Sequence, residues 1–132
     1  MTMAPDALKA ACLDLNGAEE TFPFGPEASV FKVGGKIFAL SALDAVPLKV
    51  SLKCDPEVAV RLRQEYPAIT GGWHLNKRHW NTVTIDGSVP DRLLREMIED
   101  SYDLIVAQLP RRQQLVLDWP GVAAHAGSGD AG

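Results

Sequence analysis

Apolar positions along the chain alternate between periods of 3.6 and 2, and each switch marks an element. Leu8, Ala11, Cys12 and Leu15 fall at i, i+3, i+4 and i+7, which predicts a first helix over Pro5 to Leu15, with Gly17 as its stop. The following segment, Glu19 to Pro26, cannot continue that helix because two prolines and a glycine crowd it. It reads as an ordered loop, with Phe22 and Phe24 expected to anchor into the core. Ala28 to Val33 and Ile37 to Leu43 are β-rich runs separated by Gly34-Gly35, a hairpin signal because glycine accepts the positive φ of tight turns.

The clearest strand is Leu48 to Lys53. Leu48, Val50 and Leu52 alternate with Lys49, Ser51 and Lys53, so one side faces a core and the other water. Asp55-Pro56-Glu57 starts a helix, with Asp55 as N-cap and Pro56 in the first turn, and the helix ends before Pro67. A Gly71-Gly72 loop leads to a strand over about His79 to Ile85. Pro90 opens a final long helix in which Leu94, Ile98, Ile105 and Leu109 recur at multiples of about 3.6. The order is helix, hairpin, strand, helix, strand, helix. With one sheet face wet, every helix must cover the other face. The expected fold is therefore a two-layer α+β sandwich with a mostly antiparallel sheet.

Composition narrows the reading. The 132 residues are 46% hydrophobic and 23% charged, as in one ordinary globular domain. Residues 1–112 are expected to fold, and 113–132, ending in Ala126-Gly127-Ser128-Gly129 and its neighbours, to form a flexible tail. No signal-peptide pattern and no apolar stretch of about 18 residues is present, so no membrane span is expected. Cys12 and Cys54 stand apart without a CxxC pairing, consistent with a reduced cytoplasmic protein whose thiols are small core residues. A monomer is expected.

The net charge of −4 excludes a uniformly basic coat, so any anion site must be local. Residues 1–48 carry three cations against six carboxylates, and residues 83–132 carry four against eight. Residues 49–82 reverse the balance, six against three, and also hold Trp73, Trp80, His74 and His79. If the strands at Lys49–Lys53 and His79–Ile85 share a sheet, Lys49 and Lys53 can lie beside Trp80, Thr82 and Thr84, with Lys77 and Arg78 extending the patch. Cations interleaved with an exposed indole suit nucleic acid, since the cations neutralise phosphates while the ring stacks on a base. The competing reading makes Trp73 and Trp80 edge-of-core residues and the cations merely solvated.

Other chemistry is weakly supported. His74 and His79, even with Cys54, lack metal-ligand spacing, and Asp6, Asp14, Glu19 and Glu20 read as solvated. No GxSxG elbow, Walker loop or Cys/His nucleophile arrangement is present, so no enzyme activity, metal or cofactor is assigned.

Five segments carry a family resemblance: Phe22-Pro23-Phe24-Gly25-Pro26, Val30 to Ala39, Leu52-Lys53-Cys54-Asp55-Pro56, His74 to Val83, and Ser101 to Val106. Together they resemble the MmcQ/YjbR family over roughly residues 5–112. The resemblance implies a CyaY-like (frataxin-like) fold and DNA binding through a double-wing arrangement of sheet and loops. Its signature falls here on Lys53, His74, Asn76, Lys77, Arg78, His79, Trp80 and Asn81. Lys49 joins them from the charge pattern as the expected nucleic-acid contact set. The frataxin comparison also suggests iron, but the first helix holds only Asp6 and Asp14, and the acidic ridge is missing. The expected function is weak, backbone-dominated binding of DNA. The alternative is a module that docks an acidic protein partner or a small anionic ligand.

Overall fold

The computed structural model describes residues 2–72 and 75–117. Pro5–Leu13 form α1, followed by β1 (Glu19–Thr21), β2 (Ser29–Val33), β3 (Lys36–Ser41) and β4 (Lys49–Lys53). Then come α2 (Pro56–Glu65), β5 (Ile69–Gly71), β6 (Trp80–Thr84), α3 (Asp91–Val106) and α4 (Arg111–Val116). The strands make one open sheet in the order β1-β2-β3-β4-β6-β5, with every neighbouring pair antiparallel. The fold is the expected α+β sandwich.

Alternation along the strands sorts the two faces. Val50 and Leu52 of β4, paired with Val83 and Asn81 of β6, point into the core with Ile69 of β5. α3 packs on this face over β2, β3 and β4; α2 lies on it over β5 and β6; and α1 packs against α3. At the centre, Phe38 and Tyr102 meet edge to face, with ring centroids 5.5 Å apart. The Tyr102 hydroxyl donates to the Asn16 carbonyl at 2.6 Å and so ties α3 to the chain after α1.

The β2–β3 hairpin departs from strict alternation. Its register shifts between Phe31 and Lys32, so that Phe31 pairs with Ala39 and Lys32 with Ile37. Phe38 is the extra residue of a bulge, which lets Phe38 and Ala39 both enter the core. At Gly34 (φ 57°) a Cβ would sit 2.6 Å from a Leu109 methyl, so both the turn geometry and the close approach demand glycine.

Beside the bulge, β3 and β4 are joined through a side chain. Their paired residues are Ala39↔Leu52 and Leu40↔Ser51. Next to these, the buried Ser101 hydroxyl of α3 accepts from the Lys53 N–H at 2.9 Å and donates to the Phe38 carbonyl at 2.5 Å. One hydroxyl therefore satisfies a donor on β4 and an acceptor on β3, while fixing α3 to both.

Four expectations change. The Glu19–Pro26 segment is not all loop, since Glu19–Thr21 pair with β2. Phe22 and Phe24 are 49% and 69% exposed and do not anchor the core, because both follow the last paired residue of β1. The wet face is not uniformly wet: Ser51 and Thr82 are recessed and buried, their hydroxyls 2.8 Å apart. Ordered structure also continues past residue 112. Gln114 of α4 is buried and its Nε2 donates to the Val106 and Leu109 carbonyls at 2.9 and 3.0 Å, capping the end of α3. The rest of the expected tail, 118–132, lies outside the described residues.

Two predictions follow from the core. Ser101→Ala leaves a buried N–H and a buried carbonyl short of a partner, so urea unfolding should show a loss of about 2–3 kcal/mol. Burial, with Glu20 nearby, pushes the Cys12 thiol up from 9.0 to about 12. A thiol kept protonated by the fold stabilises it below pH 9, and that contribution is lost as pH rises toward 12. Stability of the native chain should therefore fall across this window more steeply than that of Cys12→Ala, by up to about 1.4 kcal/mol per pH unit.

Candidate nucleic-acid interface

The β4–β6 ladder decides which candidate residues meet. Its register pairs Lys49 with Thr84, Ser51 with Thr82 and Lys53 with Trp80. All six lie on the face opposite the helices, because the alternating residues Val50, Leu52, Asn81 and Val83 fill the helix face. Directly opposed side chains on one face have Cβ atoms about 4.5–5.5 Å apart, so Lys53 and Trp80 are cross-strand neighbours on the open face. Both residues are half-buried, while Lys49 at the other end of β4 is exposed. The two lysines are separated by about 13 Å of strand.

The segment before β6 is a tight loop built by Asn76. Its Oδ1 accepts from the Arg78 N–H at 2.9 Å, and its carbonyl accepts from the His79 and Trp80 N–H groups at 3.1 and 2.9 Å. Asn76 thus spends its side chain on its own turn and acts by presenting Arg78 outward. The half-buried His79 fixes the loop to β4, its carbonyl accepting from the Cys54 N–H at 2.8 Å. The Lys77 ammonium bends back to the Gly72 carbonyl at 3.2 Å. Burial, then Asp55 and Asp100, holds the Cys54 thiol above its ordinary value.

Arg63 belongs to this cluster, although no reading of the sequence singled it out. It reaches from α2 to the Lys77 carbonyl, its Nη1 donating at 2.8 Å. Arg63, Lys77 and Arg78 then line a shallow cleft of about 620 Å³ with Pro56, Glu57 and Val60. Pro56, Val60 and Arg63 fall at i, i+4 and i+7 on one helix face, the spacing that could have found it.

Asn81 must be removed from the contact set. It is fully buried on the helix face, its Nδ2 donating to the Ala59 carbonyl of α2 at 3.4 Å and its Oδ1 lacking a partner. Its polarity marks a strand-to-helix contact rather than a surface group, so it cannot touch a ligand on the open face. His74 lies outside the described residues. The structure therefore brings Lys53 and Trp80 together, places Lys77, Arg78 and Arg63 on the adjoining loop and helix, and leaves Lys49 at the far end. Among the described residues no group of three or more His, Cys, Asp or Glu side chains is placed to hold a metal ion.

Fold and face define an open-sheet α+β sandwich whose uncovered side carries lysines, hydroxyls and the Trp80 indole. Comparison gives that architecture its family. The chain belongs to the YjbR family, whose model matches residues 13–104. It is 44% identical over 110 residues to YbdF of Escherichia coli O157:H7, an uncharacterized protein, covering 83% of this chain and 89% of that one. It is 36% identical over 106 residues to YjbR of Escherichia coli K12, also uncharacterized, covering 80% and 90%. Among solved structures it resembles the crystal structure of Deinococcus radiodurans protein DR2400, a DUF419 domain, with TM-score 0.84 and 42% identity over 89% of this chain and 90% of that one. A Pseudomonas syringae crystal structure matches with TM-score 0.58 and 27% identity, covering 66% and 86%.

Gly72 sets the geometry around Trp80. Its N–H donates to the Trp80 carbonyl at 2.8 Å, and a Cβ on Gly72 would lie 2.7 Å from the Trp80 Cβ. Gly72→Ala should therefore destabilise the domain by about 1–3 kcal/mol through overpacking, read as a lower thermal midpoint. It should also shift the Trp80 indole resonance.

Proposed function

We propose that this protein binds nucleic acid, with DNA as the favoured form, through the open sheet face and the loop before β6. The observation that carries the reading is the cross-strand pair of Lys53 and Trp80 on the uncovered face. A cation and a π-face side by side match the two recurring features of a nucleic-acid strand, a phosphate and a base. Lys49, Lys77 and Arg78 supply further phosphate contacts, Arg63 adds charge from α2, and Trp80 stacks. The backbone dominates the affinity and sequence preference is small, since Asn81 is unavailable and Asn76 is committed to its turn.

Charge distribution supports this despite the net −4. Glu96, Glu99, Asp100 and Asp103 crowd α3, and burial followed by these neighbouring carboxylates raises the Asp100 carboxyl above its usual value. α3 lies on the covered side of the sheet, so this negative field is separated from the open face by the thickness of the domain.

A second reading rests on a different observation. The cleft holding Arg63, Lys77 and Arg78 has an apolar floor with Val60 47% exposed, a surface suited to an acidic protein segment bearing an apolar residue. Binding that survives nuclease treatment and is lost in Val60→Asp favours this second reading.

The test of the first is a fluorescence anisotropy titration against duplex DNA at several salt concentrations. Four phosphate contacts, at Lys49, Lys53, Lys77 and Arg78, give a log–log salt slope of about −3.6. Lys53→Ala with Arg78→Ala should halve it, and Trp80→Phe should weaken binding while leaving the slope unchanged. A flat slope, or a double variant that binds as the parent does, overturns the reading.

A further inference from the structure

The open face carries a second feature, at the opposite end of β4 from the Lys53–Trp80 pair. A groove of about 510 Å³ runs between the β3–β4 loop and β5. Ala28, Leu40, Ala42, Ala45 and Pro47 supply its apolar walls, and Ser51, Thr70 and Thr82 its hydroxyls. The volume falls within the range of small-molecule pockets, and three alanines explain why it is open: their short side chains leave unfilled the space that larger residues would occupy.

We propose that this groove is the binding site for a small organic carboxylate, an apolar body of metabolite size carrying one anionic end. The charge on its lining fixes the polarity of the ligand. Among the described residues that line it, Lys49 carries the charge, and no carboxylate belongs to that lining. An ammonium at the end of an apolar trough selects a monoanion whose remaining surface is apolar. Inorganic phosphate fits poorly, because a compact, strongly hydrated anion needs several donors around it. The apolar body lies along Leu40 and Pro47, above the recessed Ser51–Thr82 hydroxyl pair, whose oxygens are 2.8 Å apart.

Exposed apolar side chains also stand on the loops next to the groove, outside its lining. Val46, 95% exposed, sits between the wall residues Ala45 and Pro47. The loop bearing the exposed Phe22 and Phe24 runs into Ala28, another wall residue. These are large apolar side chains left in water where the core does not need them. The groove shares Lys49 with the proposed phosphate contacts and otherwise stands apart from the Lys53–Trp80 pair, so carboxylate binding measured without DNA reports on the groove alone.

The experiment is an NMR titration of the full chain, labelled with nitrogen-15, using phenylacetate and octanoate. Phenylacetamide and octanamide serve as neutral counterparts and inorganic phosphate as a control. The expected result is saturable shifts at the amides of Leu40, Ser51, Thr70 and Thr82 with the carboxylates. Affinity should be about tenfold weaker for the amides and for Lys49→Gln. Ala42→Leu, which fills the groove from its wall, should weaken the carboxylates and the amides alike. Absence of saturable shifts up to millimolar probe overturns the proposal. So do equal affinities for acids and amides, binding undiminished in Lys49→Gln, or shifts confined to the Lys77–Arg78 cleft.

Discussion

The Ser101 hydroxyl is the joint on which the rest of the molecule depends. It binds the Phe38 carbonyl and the Lys53 N–H at once, so a single atom holds β3, β4 and α3 together beside a bulge. β3 and β4 pair through Ala39↔Leu52 and Leu40↔Ser51, and the hydroxyl joins the two strands just beyond that ladder. It also commits α3 to one face of the sheet, and Lys53, whose backbone it anchors, is the residue that faces Trp80 on the other.

The two faces then divide the work. Aliphatic and aromatic side chains of alternating strand positions pack under α2 and α3, which makes burial the main source of stability. The uncovered face is left with residues that contribute little to that core: Lys49 and Lys53 at the ends of β4, hydroxyls between them, and Trp80 at the start of β6. Because β4 and β6 are both flanked by strands on each side, this face is held inside the sheet rather than on its edge. The loop at Asn76 and the end of α2 place further cations at the face's Trp80 end, and the alanine-walled groove occupies the other.

Much of this layout was legible in the residues. The Leu48–Lys53 alternation predicted both the strand and an uncovered side, and Asp55-Pro56 predicted the start of α2, where Asp55 Oδ1 accepts from the Glu57 N–H at 3.0 Å. What escaped has physical causes. β1 and β5 are three residues each, too short for a period to show. The bulge puts Phe38 and Ala39 on the same side and disguises the alternation of β3. Asn81 enters the contact set through the family resemblance, although the alternation that puts Trp80, Thr82 and Thr84 on the open face turns Asn81 toward the helices. Arg63 lies fourteen residues from Lys77 in sequence, and only folding brings its guanidinium to that loop. Hydrophobicity alone sends Phe22 and Phe24 to the core, whereas the short β1 ends before them.

The central claim is that ligands meet the side of the sheet the helices leave bare. Amide and indole shift mapping of the chain with a short DNA duplex tests it most directly. The account predicts that changes cluster at Lys53, Thr82, the Trp80 indole N–H and the Lys77–Arg78 amides, while the outward residues of α3 stay still. Changes concentrated on α3 or α1, with the Trp80 indole unmoved, would contradict it.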